Sequence, residues 1–168
     1  MTFPEIKSIL ENQFPDFSIE EDLDARPNAV LVKPDNIIAI LSFLRNHEEF
    51  YFDSLSCVTG IDNGPEVGSM EIIYNLYSIS FDLHLMVKVF IARSKPEIST
   101  VSNLWRTADW HEREIYDLLG VSFEGHPDLR RILLPADWEG FPLRKDYQEQ
   151  EKYHGVTVKY EESKPSDN

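Results

Sequence analysis

Apolar residues recur with two different periods along the chain, and these periods separate helices from strands. Near the start, Phe3, Ile6 and Leu10 are spaced as one face of a helix, which follows a capping-box pattern formed by Thr2 and Glu5. Farther on, two runs rich in β-branched and aromatic residues are separated by a short turn, as in a hairpin. The complete series predicts helices at 2–12, 35–46, 97–105 and 110–119, and strands at 17–23, 29–33, 50–62, 70–79 and 83–92.

This order of elements predicts an α+β fold. Strands and helices come in runs, without the regular β–α–β alternation that produces parallel sheets. We therefore expect residues 1–119 to form a mostly antiparallel sheet covered by helices. Residues 120–168 are expected to form an extended irregular C-terminal arm that wraps partner subunits, with its last residues disordered. A chain of 168 residues is long enough to bury one core.

The predicted helix at 110–119 has clear ends and one misplaced charge. Asp109 is a good N-cap, Glu112 completes a capping-box pattern, and Gly120 suits the left-handed position after the last turn. Asp117 lies in the last turn, where a carboxylate meets the negative end of the helix dipole. We therefore expect Asp117 to bind a group outside its helix, in the arm or in another subunit. We expect it to matter more for assembly than for stability.

The arm contains glycines and prolines that prevent long regular elements, yet it is rich in bulky apolar residues. Such a segment usually lies on an existing surface, either that of its own domain or that of another subunit. For residues 135–147 we expect the surface of a partner, with Trp138, Phe141 and Leu143 as anchors. Arg144 and Lys145 are expected to pair with acidic residues of that partner.

The composition of the chain excludes several classes of function. The sequence has 16 basic and 30 acidic residues and a formal net charge of −14, which repels nucleic-acid phosphates and anionic lipids. Cys57 is the single cysteine, too few for a disulfide or for the cysteine sets of zinc and iron–sulfur sites. The longest mostly apolar run, 37–44, is far shorter than the ~20 residues of a membrane span. We therefore expect membrane contact only through partners, and no nucleic-acid partner.

The candidate catalytic patterns are incomplete. His111-Glu112 looks like the start of a zinc-protease helix, but Ile115 occupies the position of the second histidine. Neither a glycine-rich dinucleotide fingerprint nor a P-loop occurs, so NADH and nucleotides have no evident binding loop. A free-standing metal-dependent hydrolase that uses His111, Glu112, His126 and Asp128 stays open as an alternative. His126 also has the chemistry for proton transfer near neutral pH.

One motif spans the last predicted helix and the start of the arm. Glu112-Arg113-Glu114 is followed after two residues by Asp117-Leu118-Leu119, after six by His126, after three by Arg130, and after one by Ile132-Leu133. This pattern resembles the signature of the 30-kDa subunit family of respiratory complex I. Pro135, Trp138, Gly140 and residues 142–147 resemble the continuation of that family.

The resemblance implies a non-catalytic structural component, known in bacteria as the C subunit, in the peripheral arm of NADH:quinone oxidoreductase. That complex passes electrons from NADH through FMN and iron–sulfur clusters to quinone and couples this transfer to proton translocation. The chain itself is expected to bind no cofactor. The expected partners are chiefly the 49-kDa-type (D) and the cluster-bearing (B) subunits, in a peripheral position on the cytoplasmic side of the inner membrane.

Two other assignments stay open: the equivalent component of a membrane-bound hydrogenase or photosynthetic-type complex, and an acidic adaptor unrelated to respiration. The candidate interface is drawn from the motif and the arm. The residues expected at this partner interface are Glu112, Arg113, Glu114, Asp117, His126, Arg130, Arg131, Trp138, Phe141, Pro142, Leu143, Arg144, Lys145, Asp146 and Tyr147.

Overall fold

The computed structural model describes residues 1–22 and 24–158 and contains a five-stranded sheet with helices packed on one face. The strands lie in the order β1–β2–β5–β4–β3, and every neighbouring pair is antiparallel except β2 and β5. This arrangement confirms the predicted α+β fold with a mostly antiparallel sheet. The sheet strands are β1 (Ile19–Asp22), β2 (Ala29–Val32), β3 (Ser54–Asp62), β4 (Ser69–Ser78) and β5 (Leu83–Ala92); the helices are α1 (Phe3–Gln13), α2 (Ile37–Asn46, after a 3₁₀ turn at Pro34–Asn36) and α3 (Ala108–Leu119).

The alternating pattern of the strands places the large apolar side chains on the face covered by the helices. Met70, Ile72 and Tyr74 of β4 are fully buried there, together with Leu10 of α1 and Leu41 of α2. The residues between them in β4 point to the other face of the sheet, as the pleat of a strand requires. The main core therefore forms between the sheet and the helices, while Ile73 joins a small second cluster with Ala25, Ala29 and Met86.

Helix α3 packs closely on β3, which is an edge strand of the sheet. Gly60 makes this approach possible, because a Cβ atom there would lie 2.7 Å from Leu119 Cδ1 and 2.9 Å from Ile115 Cγ2. His111 of the helix accepts a hydrogen bond from Val58 N through Nδ1 at 3.3 Å. The helix thus provides a hydrogen-bond partner for a backbone amide of the edge strand, which could otherwise pair with another chain.

The predicted helix at 97–105 is wrong. Residues Glu97–Ser99 form strand β6, which pairs in parallel with β7 (Ser122–Glu124) from the start of the arm. Ile98, Val101 and Trp105 are buried as the helical spacing predicted, but Ile98 lies in a strand, and hydrogen-bonded turns follow at Val101 and Trp105. Ile98 pairs with Phe123, which is distant in the sequence. The hydrogen bonds of this strand pair outweigh the local preference of residues 97–105 for a helix.

The start of α3 also differs from the prediction. The helix begins at Ala108, with Thr107 at the N-cap position, so Asp109 lies inside the first turn as a favourable acidic residue. Glu112 does not complete a capping box, because its side chain is drawn into the interior. Elsewhere, the predicted strand end at Leu23 and the expected disordered tail at 159–168 lie outside the described residues.

Candidate interface formed by helix α3 and the arm

The C-terminal end of α3 is the place where the arm begins and to which it returns. Gly120 has a left-handed conformation, with φ at 73°, and its amide donates back to the last helical turn, as the sequence predicted. The next carbonyl groups receive hydrogen bonds from the arm: Leu143 N donates to Leu118 O at 3.0 Å, and Arg144 Nε donates to Leu119 O at 2.7 Å. Since the last carbonyls of a helix lack partners within it, the arm completes the hydrogen bonding of α3.

Asp117 is the central anchor of the arm. Its side chain is fully buried, and its Oδ2 accepts hydrogen bonds from three successive amides, Ile132 N at 3.0 Å, Leu133 N at 2.7 Å and Leu134 N at 2.9 Å. Burial alone would raise the pKa of Asp117, but the Leu134 amide, the Arg131 guanidinium and the other two amides together hold it below its usual value. The arm therefore explains why a carboxylate occupies the last turn of α3, a position that is unfavourable within the helix alone.

Arg131 joins the same carboxylate to a later part of the arm. Its Nη1 donates to Asp117 Oδ1 at 2.7 Å and to Asp117 O at 2.9 Å, while Nη2 donates to Trp138 O and Gly140 O, each at 3.0 Å. The guanidinium also lies 5.4 Å from the centre of the Phe141 ring, within the range of a cation–π contact. One cation thus offsets the charge of Asp117 and fixes two turns of the arm.

A second buried carboxylate holds the arm farther along. Asp62, at the end of β3, accepts hydrogen bonds from Arg93 Nε at 2.8 Å, Arg93 Nη2 at 3.1 Å, Gly64 N at 3.0 Å and Lys145 N at 2.9 Å. Chiefly the Arg93 hydrogen bonds, against the opposing effect of burial, lower the pKa of Asp62 to about 2. Arg93 also pairs with Asp146 of the arm. Residues 145–146 are therefore fastened to the body through Asp62 and Arg93.

Glu112 lies fully buried toward the opposite end of α3. It accepts hydrogen bonds from the Thr100 hydroxyl and from Val101 N, the latter at 2.8 Å. Burial raises the pKa of Glu112 to about 7, although both hydrogen bonds act in the opposite direction, and Asp109 adds repulsion. This carboxyl group connects α3 to the segment that leads out of β6.

His126, in the first turn of the arm, is buried in the same part of the interior as Glu112. Its side chain is fully buried, with Nε2 at 3.2 Å from Asp109 O and 3.8 Å from Glu112 Oε2. Asp128 N donates to Nδ1 at 3.0 Å, so in the neutral ring the proton lies on Nε2 and points to Asp109 O. The imidazole therefore links α3 to the arm by hydrogen bonds.

The remaining charged candidates lie nearer the surface. Arg113 Nε donates to Arg130 O at 3.3 Å, and Arg130 itself is exposed and pairs with Asp128 at 2.9 Å. Glu114 is exposed on the outer side of α3. Of the charged motif residues, Glu112 and Asp117 are thus internal, whereas Glu114 and Arg130 are available to a partner.

Residues 135–147, which were expected to be ordered mainly by lying across a partner, also make contacts with the chain's own body. Leu143, Arg144 and Lys145 bind backbone or carboxylate groups of the chain's own body, so neither Arg144 nor Lys145 depends on an acidic partner for its position. Trp138 is half-buried and donates from Nε1 to Tyr147 Oη at 3.2 Å. Phe141 and Pro142 are also half-buried. Binding of a partner over this ordered arm stays a prediction.

Three large apolar side chains project from this region into solvent. Trp110 on α3 is 64% exposed, Leu133 is 61% exposed, and Leu143 is 58% exposed. Each is held in place: Arg113 lies over the Trp110 ring, and the amides of the two leucines bind α3. Fixed, exposed apolar groups among charged residues are typical of protein–protein interfaces.

Sequence reasoning missed the body residues that receive the arm. Asp62 and Lys145 are 83 positions apart, and nothing local to Asp62 or Arg93 indicates that they meet the arm. Thr100 was placed in a predicted helix, which concealed its role as the partner of Glu112. From the sequence, Asp117 could bind either the arm or another subunit. In the structure its carboxylate binds the arm.

The metal-dependent hydrolase alternative requires a metal-binding cluster near His111, Glu112 and His126. Residues 1–22 and 24–158 contain no group of three or more His, Cys, Asp or Glu side chains that could hold a metal ion. His111 faces β3, while Glu112 and His126 are closed inside the protein, so the hydrolase alternative gains no support. Within the same described residues, no helix has both the length and the apolar character needed to cross a bilayer.

Comparison with protein families matches residues 30–153 to the model described as respiratory-chain NADH dehydrogenase, 30 Kd subunit. The chain belongs to this family. Among curated relatives, the C subunit of NADH-quinone oxidoreductase from Chloroherpeton thalassium is 47% identical over 143 residues, covering 83% of this chain and 59% of the relative's length. The same subunit from Chlorobium phaeobacteroides is 49% identical over 122 residues, covering 72% of this chain and 73% of the relative.

Solved structures agree with membership of the 30-kDa subunit family. Nqo5, determined as a trypsin-resistant fragment, is 26% identical, with a TM-score of 0.59 over 74% of this chain and 98% of the fragment. A chain of the membrane-bound sulfane sulfur reductase, an archaeal respiratory membrane complex, is 27% identical, with a TM-score of 0.72 over 96% of both chains. In this chain the family motif coincides with contacts that hold the arm, since Asp117 and His126 both link α3 to it.

Proposed function

We propose that this chain is a structural subunit of the peripheral arm of an NADH:quinone oxidoreductase, in which helix α3 and its docked arm form the surface that binds neighbouring subunits. The observation that carries this proposal is the fixed display of Trp110, Leu133 and Leu143 on a region anchored by buried carboxylates. Rigid apolar anchors lower the entropic cost of association. Family membership supports the assignment to this class of complex.

The partners in this proposal are the 49-kDa-type (D) and the cluster-bearing (B) subunits. Charge supports a protein partner for this region, because residues 126–147 hold four basic and four acidic side chains in a chain of net charge −14. Much of that balance is internal, through Arg131 and Asp146. Exposed Arg130 and Lys145 of the arm, together with exposed Glu114 of α3, form a polar rim around the apolar anchors.

The chemistry of the complex belongs, in this proposal, to the other subunits. NADH, FMN, the iron–sulfur clusters and quinone would bind to them, and this chain would fix their geometry. The single cysteine, Cys57, lies on β3 beside Asn75, away from the carboxylates that hold the arm. The chain would lie peripherally on the cytoplasmic side of the inner membrane, attached through its partners, and its complex would couple electron transfer to proton translocation.

A related membrane complex with another electron donor is the second candidate. The chain of the sulfane sulfur reductase aligns over 96% of this chain, which supports a scaffold that serves more than one redox module. The two candidates share the same interface and differ in the neighbouring subunits. Mass spectrometry of the purified complex separates them, because only the first contains an FMN-dependent NADH-oxidising module.

Assembly of variants in the host cell tests the proposal directly. Trp110→Glu and Leu143→Glu place a charge on the proposed interface, and Phe90→Glu is a matched control because Phe90 is 46% exposed on the open face of the sheet. Loss of one interfacial anchor commonly costs on the order of 2 kcal/mol or more of association. We expect both interface variants to fold, as judged by circular dichroism, and to be depleted from the purified complex, whereas the control assembles.

Two results would contradict the proposal. Normal recovery of Trp110→Glu and Leu143→Glu in the complex would place the interface elsewhere. Absence of the unaltered chain from any complex that contains the D and B subunits would refute the assignment as a whole.

A further inference from the structure

The end of the molecule formed by α1, the α2–β3 connection and the β4–β5 turn carries a second surface with a different chemistry. A groove of about 730 Å³ lies here, and its apolar lining comes from Met1, Ile9 and Phe81. Glu5, Glu48 and Glu49 provide its charged lining. None of the side chains that line this groove is basic. The N-terminal ammonium group of Met1 acts on Glu5, and the inference below therefore rests on Glu48 and Glu49.

The groove is a fixed feature of the fold. The rings of Phe14 and Phe43 pack edge to face with centroids 5.5 Å apart, which holds α1 against α2. Tyr51 N donates to His47 O at 2.8 Å, and Ile79 N donates to Asp53 Oδ1 at 3.0 Å. These two hydrogen bonds shape the α2–β3 connection and tie the β4–β5 turn to it.

Exposed apolar residues concentrate at this end. Met1, Tyr51 and Phe81 are each 45% exposed, and Ile79 is 65% exposed. Turns and chain ends are normally polar, because exposed apolar side chains there contribute nothing to the core. Several such side chains beside one acidic groove indicate a surface that another molecule covers.

We infer that this groove binds a basic amphipathic segment of a neighbouring protein subunit, whose apolar side contacts Phe81 and Ile9 and whose lysine or arginine side chains pair with Glu48 and Glu49. An amphipathic helix binds a groove in this way, with apolar anchors on one side and charges along the rim. The carboxylates repel anionic lipid, and the chain's net charge of −14 disfavours a second copy of the chain. A metal ion or a polyamine would leave the apolar lining uncovered.

The inference rests on the proposed function only in that it requires the chain to be part of a complex. The groove would be a second contact with a neighbouring subunit, separate from the interface of α3 and the arm. The test uses the full-length chain in its purified complex, with the photo-crosslinking amino acid p-benzoylphenylalanine at position 81. The same amino acid at position 90 is the matched control, because Phe81 and Phe90 are 45% and 46% exposed. Crosslinked peptides are identified by mass spectrometry.

The expected result is a crosslink from position 81 to a segment of another subunit that has lysine or arginine on one side and apolar residues on the other. Glu48→Lys with Glu49→Lys should lower the yield of this crosslink about tenfold or more, because two attractive pairs become repulsive. Glu20→Lys with Glu66→Lys, which changes the net charge equally at exposed positions outside the groove, should leave the yield unchanged.

Other outcomes overturn the inference. These are no crosslink from position 81, a crosslink to lipid, to a second copy or to the chain's own residues, a crosslink to an acidic segment, and a yield that charge reversal does not lower. If the chain assembles normally while any of these occurs, only the groove assignment fails. If the chain is absent from the complex, the proposed function fails first.

Discussion

The body of this protein and its arm are ordered by different forces. In the body, side chains such as Phe50, Phe52 and Tyr74 are fully buried between sheet and helices, so the hydrophobic effect holds the elements together. In the described part of the arm, no whole residue from 124 to 158 is buried. Hydrogen bonds to two internal carboxylates, Asp62 and Asp117, and to the end of α3 hold it instead.

The difference explains how an irregular segment can present a defined surface. A core would draw the bulky residues of the arm inward, whereas polar anchoring fixes the backbone and leaves Leu133 and Leu143 facing solvent. The same arrangement concentrates the stability of the arm in a few groups. A buried polar group that loses its partner is costly, so single substitutions should separate the arm from the body.

The largest effect is expected for Asp117→Ala. The change leaves the Arg131 cation and three amides without their acceptor, and breaking a buried ion pair by removing one partner commonly costs about 3–5 kcal/mol. The free energy of unfolding should fall by an amount of that order, or the arm should detach at lower cost while the body stays folded. Urea unfolding and trypsin cleavage after Arg144 and Lys145 distinguish these cases.

Asp128→Ala is the control for that comparison, because Asp128 pairs with Arg130 at the exposed surface. It should leave both measurements almost unchanged. An Asp117→Ala protein as stable and as resistant to trypsin as the unaltered chain would show that the carboxylate does not anchor the arm. That result would agree with the expectation from sequence that this residue serves assembly more than stability.

Glu112→Gln should change the pH dependence of stability. The pKa of Glu112 is raised from an ordinary value of 4.5 to about 7, so between these values the folded state retains a proton that the unfolded state has lost. Stability therefore falls as pH rises through this window and levels off above it. Removing the ionisable group should favour the variant by up to about 3 kcal/mol at pH 8 and by almost nothing below pH 4.

The amide side chain that Glu112→Gln introduces has partners in the same pocket, because its oxygen can accept from Val101 N while its NH₂ group donates to the Thr100 hydroxyl. That hydroxyl can then turn to Ser102 Oγ, 2.9 Å away. The other titratable groups facing the site are Asp109, His126 and Tyr74, and all are retained in the variant. Glu114→Gln, exposed on the same helix, is the control; parallel pH curves for both variants and the parent would contradict the account.

The smallest effect is expected for Gly120→Ala, and it isolates one contact between the two regions. Gly120 and Gly68 have nearly equal φ values, 73° and 70°, but a Cβ atom at 120 would lie 2.5 Å from the Phe141 ring, whereas a Cβ atom at 68 would meet nothing within 4 Å. Gly68→Ala therefore measures the backbone strain alone, about 1–2 kcal/mol. Gly120→Ala should cost about 1–3 kcal/mol more because of overpacking, and equal losses would mean that Phe141 does not rest on the helix end.

The sequence predicted the body better than the arm, for physical reasons. The hairpin at 70–79 and 83–92 was placed within one residue of β4 and β5, because alternation and turn are local signals. The helix at 97–105 was wrong because Ile98 pairs with Phe123, far along the chain. The family resemblance identified the motif residues, but motif letters do not say that Glu112 and Asp117 are buried.

The arm could be predicted as irregular, anchored and rich in interface residues, but the surface on which it lies could not. That surface depends on Asp62 and Arg93, whose contacts with Lys145 and Asp146 are set by the three-dimensional fold. Local periodicity contains no information about such pairs. A carboxylate in an unfavourable position, as at Asp117, was the one local signal of an arm-binding group, and it pointed to the correct residue.

Amide hydrogen exchange of the isolated full-length chain, resolved by residue, tests the central claim most directly. If buried carboxylates of the chain itself hold the arm, the amides of Ile132, Leu133, Leu134 and Lys145 should exchange far more slowly than those of free peptides without any partner present. Asp117→Ala should abolish the protection at 132–134 while the amides of β4 and β5 stay protected. Exchange of these arm amides at free-peptide rates in the unaltered chain would contradict the account. It would mean that the arm becomes ordered only when a partner binds it.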